Sequence, residues 1–342
     1  MNLTMRPYHN EEDYWRLRDF LRQVMVANNR REWSWHVARL DYWWWFANVD
    51  IEKLDPQESI FLWETEQGEI AAALNPEGHG QVYPQIHPDF YTPQLYEEMI
   101  GLAEERLMVM GRNGRRLVQI FADTQAHAQH ALLTRHGFQR VQRPGVQEIQ
   151  HWRSLAAPLP ETPPLPGYTI RALGDGLELL ERCYASGLGF HEDDIHTARE
   201  NRDNPEWYRH IQTAPLYRRD LDIVAAAADG SIASFCTIWF DDVSRTAYFE
   251  PVATVPAHQR RGLGKAVMYE GLRRLQRMGC KVAFVGGYSE AANALYFSVM
   301  GPEHDILEPW EKVESVRGRR EPRTSPTPRR WPVAGGRWSV VG

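Results

Sequence analysis

The chain contains 342 residues, of which 43% are hydrophobic and 25% are charged, and its formal net charge is −6. Since domains usually contain about 100–200 residues, this length predicts two globular domains. The negative charge argues against nucleic acid as a partner. No apolar run approaches the roughly 18 residues that a membrane-spanning helix needs, so we expect no membrane span.

The number and spacing of the cysteines also limit which classes of protein fit the sequence. The three cysteines, Cys183, Cys236 and Cys280, form no CxxC pair. The sequence therefore predicts neither a disulfide framework nor a metal site. Residues 1–6 lack the apolar stretch of a signal peptide, so we expect a cytoplasmic protein.

The first half of the chain has an α/β pattern. Apolar residues with helical spacing between Tyr14 and Leu21 predict a helix near the N-terminus. Residues 59–74 predict a hairpin, because their apolar residues alternate on either side of a glycine turn. A strand leading to Pro88 and a long amphipathic helix ending at Met110 follow, and a second strand and a short helix complete the unit.

A proline cluster marks the domain boundary. Five prolines lie within residues 158–166, and proline favours extended backbone without amide donors. Residues 317–342 contain seven arginines and four prolines with little apolar periodicity, which predicts disorder. The predicted organisation is a first domain at 1–155, a linker at 156–166, a second domain at 167–315 and a disordered Arg/Pro-rich tail at 316–342.

The second half repeats the plan of the first. Residues 222–240 predict another hairpin, and Pro256 and Gly279 follow Pro88 and Gly111 at the same separation of 168 residues. A tandem duplication accounts for this pattern. Chance similarity between two α/β segments is the alternative.

A basic, glycine-bearing loop follows a β-rich segment within residues 247–266 and opens an amphipathic helix predicted over 264–278. Helix N-termini leave four amides unpaired and carry partial positive charge. Glycines let the backbone approach a bulky anion, so this loop is typical of a phosphate-binding site. The loop contains neither a Walker GxxxxGK[ST] motif nor a Rossmann GxGxxG motif.

The motif Gln259-x-x-Gly262-x-Gly264 resembles the [QR]-x-x-G-x-[GA] acetyl-CoA signature of the GCN5-related N-acetyltransferase (GNAT) superfamily. The resemblance extends to a closing helix containing Tyr296 and covers roughly residues 222–312. It implies an α/β protein of two tandem GNAT-like domains, each with a mixed, mostly antiparallel sheet flanked by helices.

The resemblance also implies an acetyl-CoA site. One strand would pair with the pantetheine arm through its backbone, and the loop amides would bind the pyrophosphate. The family often has asparagine seven residues before the tyrosine of the closing helix, where this chain has Ser289, with Asn293 nearby but out of register. The cofactor-binding residues so implied are Val252, Ala253, Thr254, Val255, Gln259, Arg260, Arg261, Gly262, Leu263, Gly264, Lys265, Ser289 and Asn293.

Two residues are implied as catalytic. Tyr296 stands at the position of the family's general acid, and a phenol keeps its proton at neutral pH. The position of the family's usual glutamate base is Tyr248 here. Glu250 follows two residues later, on the same face of a strand, and is our candidate base. The alternative is that Glu250 only pairs with an arginine.

Several other features have two interpretations. Residues 87–94 replace the glycine loop in the first half, with Pro88, Asp89 and Pro93 and without glycine, so we expect a degenerate domain. Tryptophans between residues 33 and 45 favour core packing over a ligand-stacking site. Residues 191–196 favour a solvated loop over a metal site. Trp207 and Tyr208 either line an acceptor pocket or pack in the core.

The resemblance implies an N-acetyltransferase that moves an acetyl group from acetyl-CoA to a primary amine of a small molecule by direct attack. The alternatives are an acyl-CoA sensor without catalysis and an interaction module on the same fold. We expect no metal, nucleic acid or membrane partner. The acceptor and the oligomeric state stay open.

Overall fold

The computed structural model describes residues 2–111, 114–191 and 194–314. The predicted disordered tail therefore lies outside the described residues. The helices are α1 (Glu11–Ala27), α2 (Val37–Tyr42), α3 (Pro56–Ser59), α4 (Pro93–Arg106), α5 (His127–Arg135), α6 (Leu177–Phe190), α7 (Ile195–Asp203), α8 (Glu206–Ile211), α9 (Leu263–Arg277) and α10 (Glu290–Met300), with a π-helical segment at Trp43–Glu52.

The strands of the described residues are β1 (Thr4–Pro7), β2 (Phe61–Glu64), β3 (Ile70–Gly78), β4 (Gln81–Ile86), β5 (Val109–Met110), β6 (Arg116–Asp123), β7 (Gln139–Arg140), β8 (Glu148–Ser154), β9 (Tyr168–Ala172), β10 (Asp222–Ala227), β11 (Ile232–Asp241), β12 (Thr246–Thr254), β13 (Val282–Gly287) and β14 (His304–Glu314). They form one mixed sheet in the order β1-β2-β3-β4-β6-β14-β8-β13-β12-β11-β10-β9, with β5 beside β6 and β7 beside β14.

The two halves exchange their last strands within this sheet. Strand β8 belongs to the first half but pairs with β13 along Val282↔Ser154 to Gly287↔Ile149. Strand β14 belongs to the second half but pairs with β6 from Leu307 to Glu314. The exchanged strands also pair with each other. Residues of the first half are therefore built into the sheet of the second, and vice versa.

The local signals of the sequence account for most elements. The Asn10 side chain caps α1 by accepting from the Glu12 amide, and α1 buries Tyr14 and Leu21 as predicted. Both predicted hairpins are present, with Gly68 and Gly230 at positive φ in their turns. These positions require a conformation that glycine adopts without steric strain.

One predicted boundary is wrong. The amphipathic helix of the first half ends at Arg106, and Met110 lies in the short strand β5. Met110 is exposed and pairs with Arg116, while the Gly111 amide donates to the Arg115 carbonyl. Hydrogen bonding to β6 therefore outweighs continuation of the helical pattern.

Three buried clusters hold the sheet and helices together. One face of the first half packs on α4 and α5, and one face of the second half packs on α9 and α10. The third cluster spans both halves: Tyr14 and Trp43 of the first half belong to it together with Trp239 and Phe284 of the second. The face shared by the two halves is therefore a continuous core.

The proline-rich linker lies against α9. It forms no helix or strand between residues 156 and 166. Nη2 of Arg273 donates to the Pro160 carbonyl at 3.0 Å, and Nε2 of Gln276 donates to the Leu155 and Ala157 carbonyls at 2.9 Å. The linker is thus attached to the second half through α9.

Candidate active site

A gap opens between two neighbouring strands of the second half. The parallel ladder joins residues 246–248 of β12 to residues 282–284 of β13 and ends there. Further along, β12 stays paired with β11, and β13 stays paired with β8. The facing edges of β12 and β13 therefore separate and leave backbone groups that an extended ligand could pair with.

A bulge in β12 lies at this gap. Cys236 pairs with Val252 and Ile238 pairs with Phe249, so β12 contains one extra residue there. The indole Nε1 of Trp239 donates to the carbonyl oxygen of Glu250 at 2.6 Å and holds the bulge. Bulges re-aim side chains and interrupt pairing, which places Glu250 at the point where the strands part.

The predicted phosphate-binding loop begins α9 next to this gap. Gly262 is the N-cap residue of α9, has a φ of +81° and provides no side-chain cap. Its carbonyl accepts from the Ala266 amide. The N-terminal amides of α9 thus point outward from a turn that glycine tolerates without strain.

Short contacts position the loop against the strand. Nε2 of Gln259 donates to the Thr254 carbonyl at 3.2 Å. A Cβ atom on Gly264 would lie 3.2 Å from Oγ1 of Thr254 and 3.1 Å from a methyl of Leu295. Close packing at Gly264 therefore brings the start of α9 against the end of β12 and the side of α10.

The remaining predicted loop and strand residues surround the same place. Val252, Ala253 and Thr254 are buried in β12 and Val255 is buried just after it, whereas Arg260, Arg261 and Lys265 are exposed. Nη1 of Arg261 donates to the Tyr168 hydroxyl at 2.8 Å. The exposed cations add positive charge beside the helix N-terminus.

Glu250 lies at the gap on the face shared by the two halves. Burial raises the pKa of its carboxyl to about 8, the Arg39 guanidinium opposes this shift, and the carboxylates of Glu77 and Glu148 reinforce it. The charges of Arg39 and Glu148 also act on the pKa of Tyr248. Glu250 and Tyr248 are therefore influenced by the same two charged groups.

Tyr296 approaches from the other face. Its side chain belongs to the cluster under α9 and α10, and only 2% of the residue is exposed. Burial raises the pKa of its phenol well above the usual value, and the nearby charge of Glu250 raises it further. A Cβ atom on Gly287 would lie 3.1 Å from the Tyr296 ring, so a glycine is needed there.

The exchanged strand β8 contributes a histidine beside Tyr296. Nε2 of His151 lies 3.0 Å from Oδ1 of Asn293, and its ring centroid lies 5.9 Å from that of Tyr296. Burial lowers the pKa of His151, so the ring is neutral at neutral pH. Ser289 caps α10 by accepting from the Ala292 amide. Asn293 and Ser289 are thus engaged by the protein itself.

Comparison with known proteins bears on the fold. A model of the acetyltransferase (GNAT) family matches residues 182–301. Residues 182–301 are therefore similar to a GNAT domain. No significant relative was found among curated proteins.

Solved structures extend the likeness to the whole chain. A GCN5-related N-acetyltransferase from Sphaerobacter thermophilus is 18% identical, with a TM-score of 0.54, over 91% of this chain and 95% of that one. A tandem GNAT protein from the clavulanic acid biosynthesis pathway is 14% identical, with a TM-score of 0.57, over 93% and 100%. A GNAT-family acetyltransferase from Colwellia psychrerythraea is 12% identical, with a TM-score of 0.53, over 90% and 100%. The chain therefore has the tandem GNAT fold.

The first half of this tandem fold lacks an equivalent loop. Helix α4 begins with Pro93, and the Thr92 side chain caps it by accepting from the Leu95 amide at 3.1 Å. Asp89, which would repel a phosphate, is exposed nearby. The start of α4 therefore offers fewer free amides than the start of α9.

The aromatic residues near the GNAT domain mostly pack. Trp35 and Trp43 are buried, Trp44 and Trp45 are partly buried, and Trp33 is 58% exposed. Tyr208 is buried with its hydroxyl 2.6 Å from Oδ2 of Asp222, and the Trp207 ring lies 5.3 Å from that of Phe46. Residues 191–196 are not wholly a loop as predicted, because Ile195 and His196 begin α7 after the Asp194 cap, and residues 192 and 193 lie outside the described residues.

A cavity of about 450 Å³ lies between the linker and α9. Residues 162–168 of the linker and β9 line it together with Ala266, Glu270 and Arg273 of α9.

Within the described ranges, no cluster of three or more His, Cys, Asp or Glu side chains could hold a metal ion. In the same part of the chain, no helix is both long and apolar enough to cross a membrane.

Sequence reasoning missed the residues that the first half supplies. Arg39, Glu148 and His151 lie at the gap of the second half, although they precede its first strand. The only local sequence signal for these contacts lies in the second half, in the glycine pair Gly286 and Gly287 at the end of β13. Glycine within a strand often marks a place where another group approaches the backbone closely. A Cβ atom on Gly286 would lie 2.8 Å from the Tyr248 hydroxyl.

Proposed function

We propose that the protein transfers the acetyl group of acetyl-CoA to a primary amine at the gap between β12 and β13. The observation that carries this proposal is the arrangement of three features around one opening. These are the separated strand edges, the uncapped N-terminus of α9 at Gly262, and the pair Glu250 and Tyr296 on opposite faces.

Acetyl-CoA fits this place as a substrate. The outward amides of α9 suit a pyrophosphate, because the helix N-terminus carries partial positive charge. Arg260, Arg261 and Lys265 are exposed around it. The edge of β12 that faces the gap suits the amide groups of a pantetheine arm, as a strand edge pairs with an added strand.

The two titratable groups have complementary tasks in this proposal. Glu250 takes a proton from the acceptor's ammonium group, which leaves a neutral amine to attack the thioester carbonyl. Tyr296 gives its proton to the sulfur that leaves. A carboxyl with a pKa near 8 is a stronger base than an ordinary glutamate, and a phenol that stays protonated is available as a donor.

An acyl-CoA sensor is the competing function. It would keep the α9 loop and bind acetyl-CoA without releasing CoA when amines are added. The presence of both Glu250 and Tyr296 at the gap favours transfer, since binding alone requires neither proton donor nor acceptor.

The test is a screen of the full-length protein with acetyl-CoA and a panel of primary amines. Release of free thiol should depend on one class of amine, and mass spectrometry should show that amine heavier by one acetyl group. Acetyl-CoA binding without amine-dependent thiol release across the panel would favour the sensor.

A further inference from the structure

One arginine on the face shared by the two halves is surrounded by carboxylates. Nη1 of Arg39 lies 3.0 Å from Oε1 of Glu148, and Nη2 lies 3.1 Å from Oε1 of Glu77. A carboxylate oxygen of Glu32 lies 3.8 Å from the same guanidinium. The charges of Arg39, Glu77 and Glu148 all act on Glu250. We call Glu32, Glu77, Glu148 and Glu250 the carboxylate cluster.

The carboxyl groups of this cluster outnumber the cation that they contact. Arg39 forms ion pairs with three of the four, Glu32, Glu77 and Glu148. Burial raises the pKa of Glu32, like that of Glu250, to about 8, while Arg39 opposes the shift. Buried carboxylates without counterions are costly, so an added cation would stabilise the ionised cluster.

Glu32 provides a separate sign of a missing partner. Its Oε1 accepts from the His36 amide at 3.1 Å, but its buried Oε2 has no hydrogen-bond partner. A cavity of about 20 Å³, lined in part by Glu32, Trp35 and Arg39, lies beside it. This volume holds one group of the size of a water molecule or an ammonium. Buried carboxylate oxygens normally accept a hydrogen bond, so a donor belongs there.

The Arg39 guanidinium on this face already has counterions. Both terminal nitrogens of Arg39 bond to the carboxylate cluster, and its guanidinium lies 5.6 Å from the Tyr83 ring centroid. Arg182 lies over the Phe235 ring, and two of its guanidinium nitrogens have no hydrogen-bond partner. A carboxylate on the acceptor would therefore meet mainly negative charge beside Arg39.

We propose that the acceptor is a diamine or polyamine, with one amine acetylated beside Glu250 and a second ammonium bound by the carboxylate cluster. This inference rests on the proposed function, because it needs Glu250 at the transfer site. Glu77 is half-buried, with 32% of its side chain exposed, so the cluster has a side open to solvent. Three of the four carboxylates come from the first half, which then selects the acceptor.

The first test compares three matched series of acceptors under saturating acetyl-CoA. These are α,ω-diaminoalkanes of four to eight carbons, and the monoamines and ω-amino acids of the same lengths. We expect kcat/KM for the best diamine to exceed that of both matched compounds by about tenfold or more, since charge complementarity adds to binding. Equal or better turnover of the ω-amino acid would overturn the inference, and the unpaired nitrogens of Arg182 would then be the candidate partner.

Substitutions within the carboxylate cluster give the second test. Glu77→Gln and Glu32→Gln remove charge with little change of shape, and Glu105→Gln on the exposed side of α4 is the matched control. The two cluster variants should lose about tenfold of the preference for diamine over monoamine, with KM for acetyl-CoA within about threefold. An unchanged preference in folded Glu77→Gln, the less buried position, would overturn the inference.

A binding measurement separates this inference from the proposed function. Calorimetry would follow 1,6-diaminohexane added to the full chain saturated with CoA. Diamine binding that Glu77→Gln weakens supports the carboxylate cluster as its site. CoA binding without diamine binding overturns the cluster and leaves acetyl transfer standing. Absence of CoA binding together with absence of thiol release overturns the proposed function itself.

Discussion

Glu250 and Tyr296 reach one gap from opposite faces of the sheet, and burial changes the acid–base behaviour of both. The Glu250 carboxyl has a pKa of about 8, and the Tyr296 phenol holds its proton more tightly than a free phenol. The shift at Tyr296 favours the protonated phenol that a general acid requires, whereas the shift at Glu250 disfavours the carboxylate that a base requires. An ammonium beside Glu250 would favour its carboxylate, and a developing thiolate would draw the proton of Tyr296.

Replacement of Tyr296 by phenylalanine should separate binding from transfer. We expect acetyl-CoA affinity within about threefold of the native value and turnover lower by about 10²–10⁴, which is the usual contribution of a general acid. Tyr269→Phe on α9 is the matched control, because it removes another buried hydroxyl of the same half. Full turnover by folded Tyr296→Phe would remove the proposed acid role.

Replacement of Glu250 by glutamine should change the pH profile. A base acts in its ionised form, so kcat/KM for the amine should fall as pH drops through the Glu250 pKa of about 8. The Glu250→Gln variant should lack this limb and follow only the ionisation of the acceptor. Glu66→Gln, in an exposed turn, is the control. Identical profiles for the native and Glu250→Gln proteins would assign the base elsewhere.

At the scale of single elements, the two halves differ most at the start of one helix. Helix α4 is capped by Thr92, whereas α9 begins at Gly262, which has positive φ and no side chain to occupy the N-terminus. The same position in the fold thus serves helix capping in one half and is open to an anion in the other.

Gly262→Asp and Gly262→Asn form a matched pair that tests this difference. Both side chains meet the same backbone strain, on the order of 1–2 kcal/mol at positive φ, and Asn and Asp tolerate it best. Only the aspartate adds negative charge where the pyrophosphate would lie. We expect acetyl-CoA affinity to fall by at least tenfold more in Gly262→Asp than in Gly262→Asn, measured by calorimetry at equal thermal stability. Equal affinities would mean that phosphate does not bind at α9.

At the scale of the whole molecule, strand exchange joins the two halves into one cooperative structure. Strand β14 contacts β6 over eight residue pairs, and β8 pairs with β13 over six. Ion pairs such as Arg22 with Asp241 also cross between the halves. Separation of the chain at the linker would therefore remove a strand from each part. The division into two domains at residues 1–155 and 167–315 therefore stays a prediction from the sequence.

A proline in β14 should destabilise both halves together. Glu311 lies between Gln119 of β6 and Gln139 of β7, so Glu311→Pro removes a ladder hydrogen bond and costs on the order of 2–4 kcal/mol. Glu311→Thr is the control, because it also removes the glutamate side chain but keeps the backbone amide. Hydrogen exchange should accelerate in both β6 and β13 in Glu311→Pro, with a single thermal transition. Faster exchange confined to one half would contradict cooperative unfolding.

The sequence determined those features that depend on neighbours within a few residues. Helical spacing predicts α1 and α9, glycine turns predict both hairpins, and the residues from Gln259 to Gly264 are themselves enough to indicate the loop. The same local signals led to the error at α4, because apolar spacing cannot show that Met110 prefers a strand partner. Pairing with a neighbouring strand can therefore override a helical spacing of apolar residues.

Only the tertiary structure decided which strands are neighbours and which charges meet. Arg39 contacts Glu148 across 109 residues, and His151 contacts Asn293 across 142. The alternation of side chains along β8 does not by itself say which half's sheet the strand joins. Packing in the shared core therefore fixes its register with β13. The contribution of the first half to the gap follows from that exchange, because a strand brings its side chains to whichever sheet it joins.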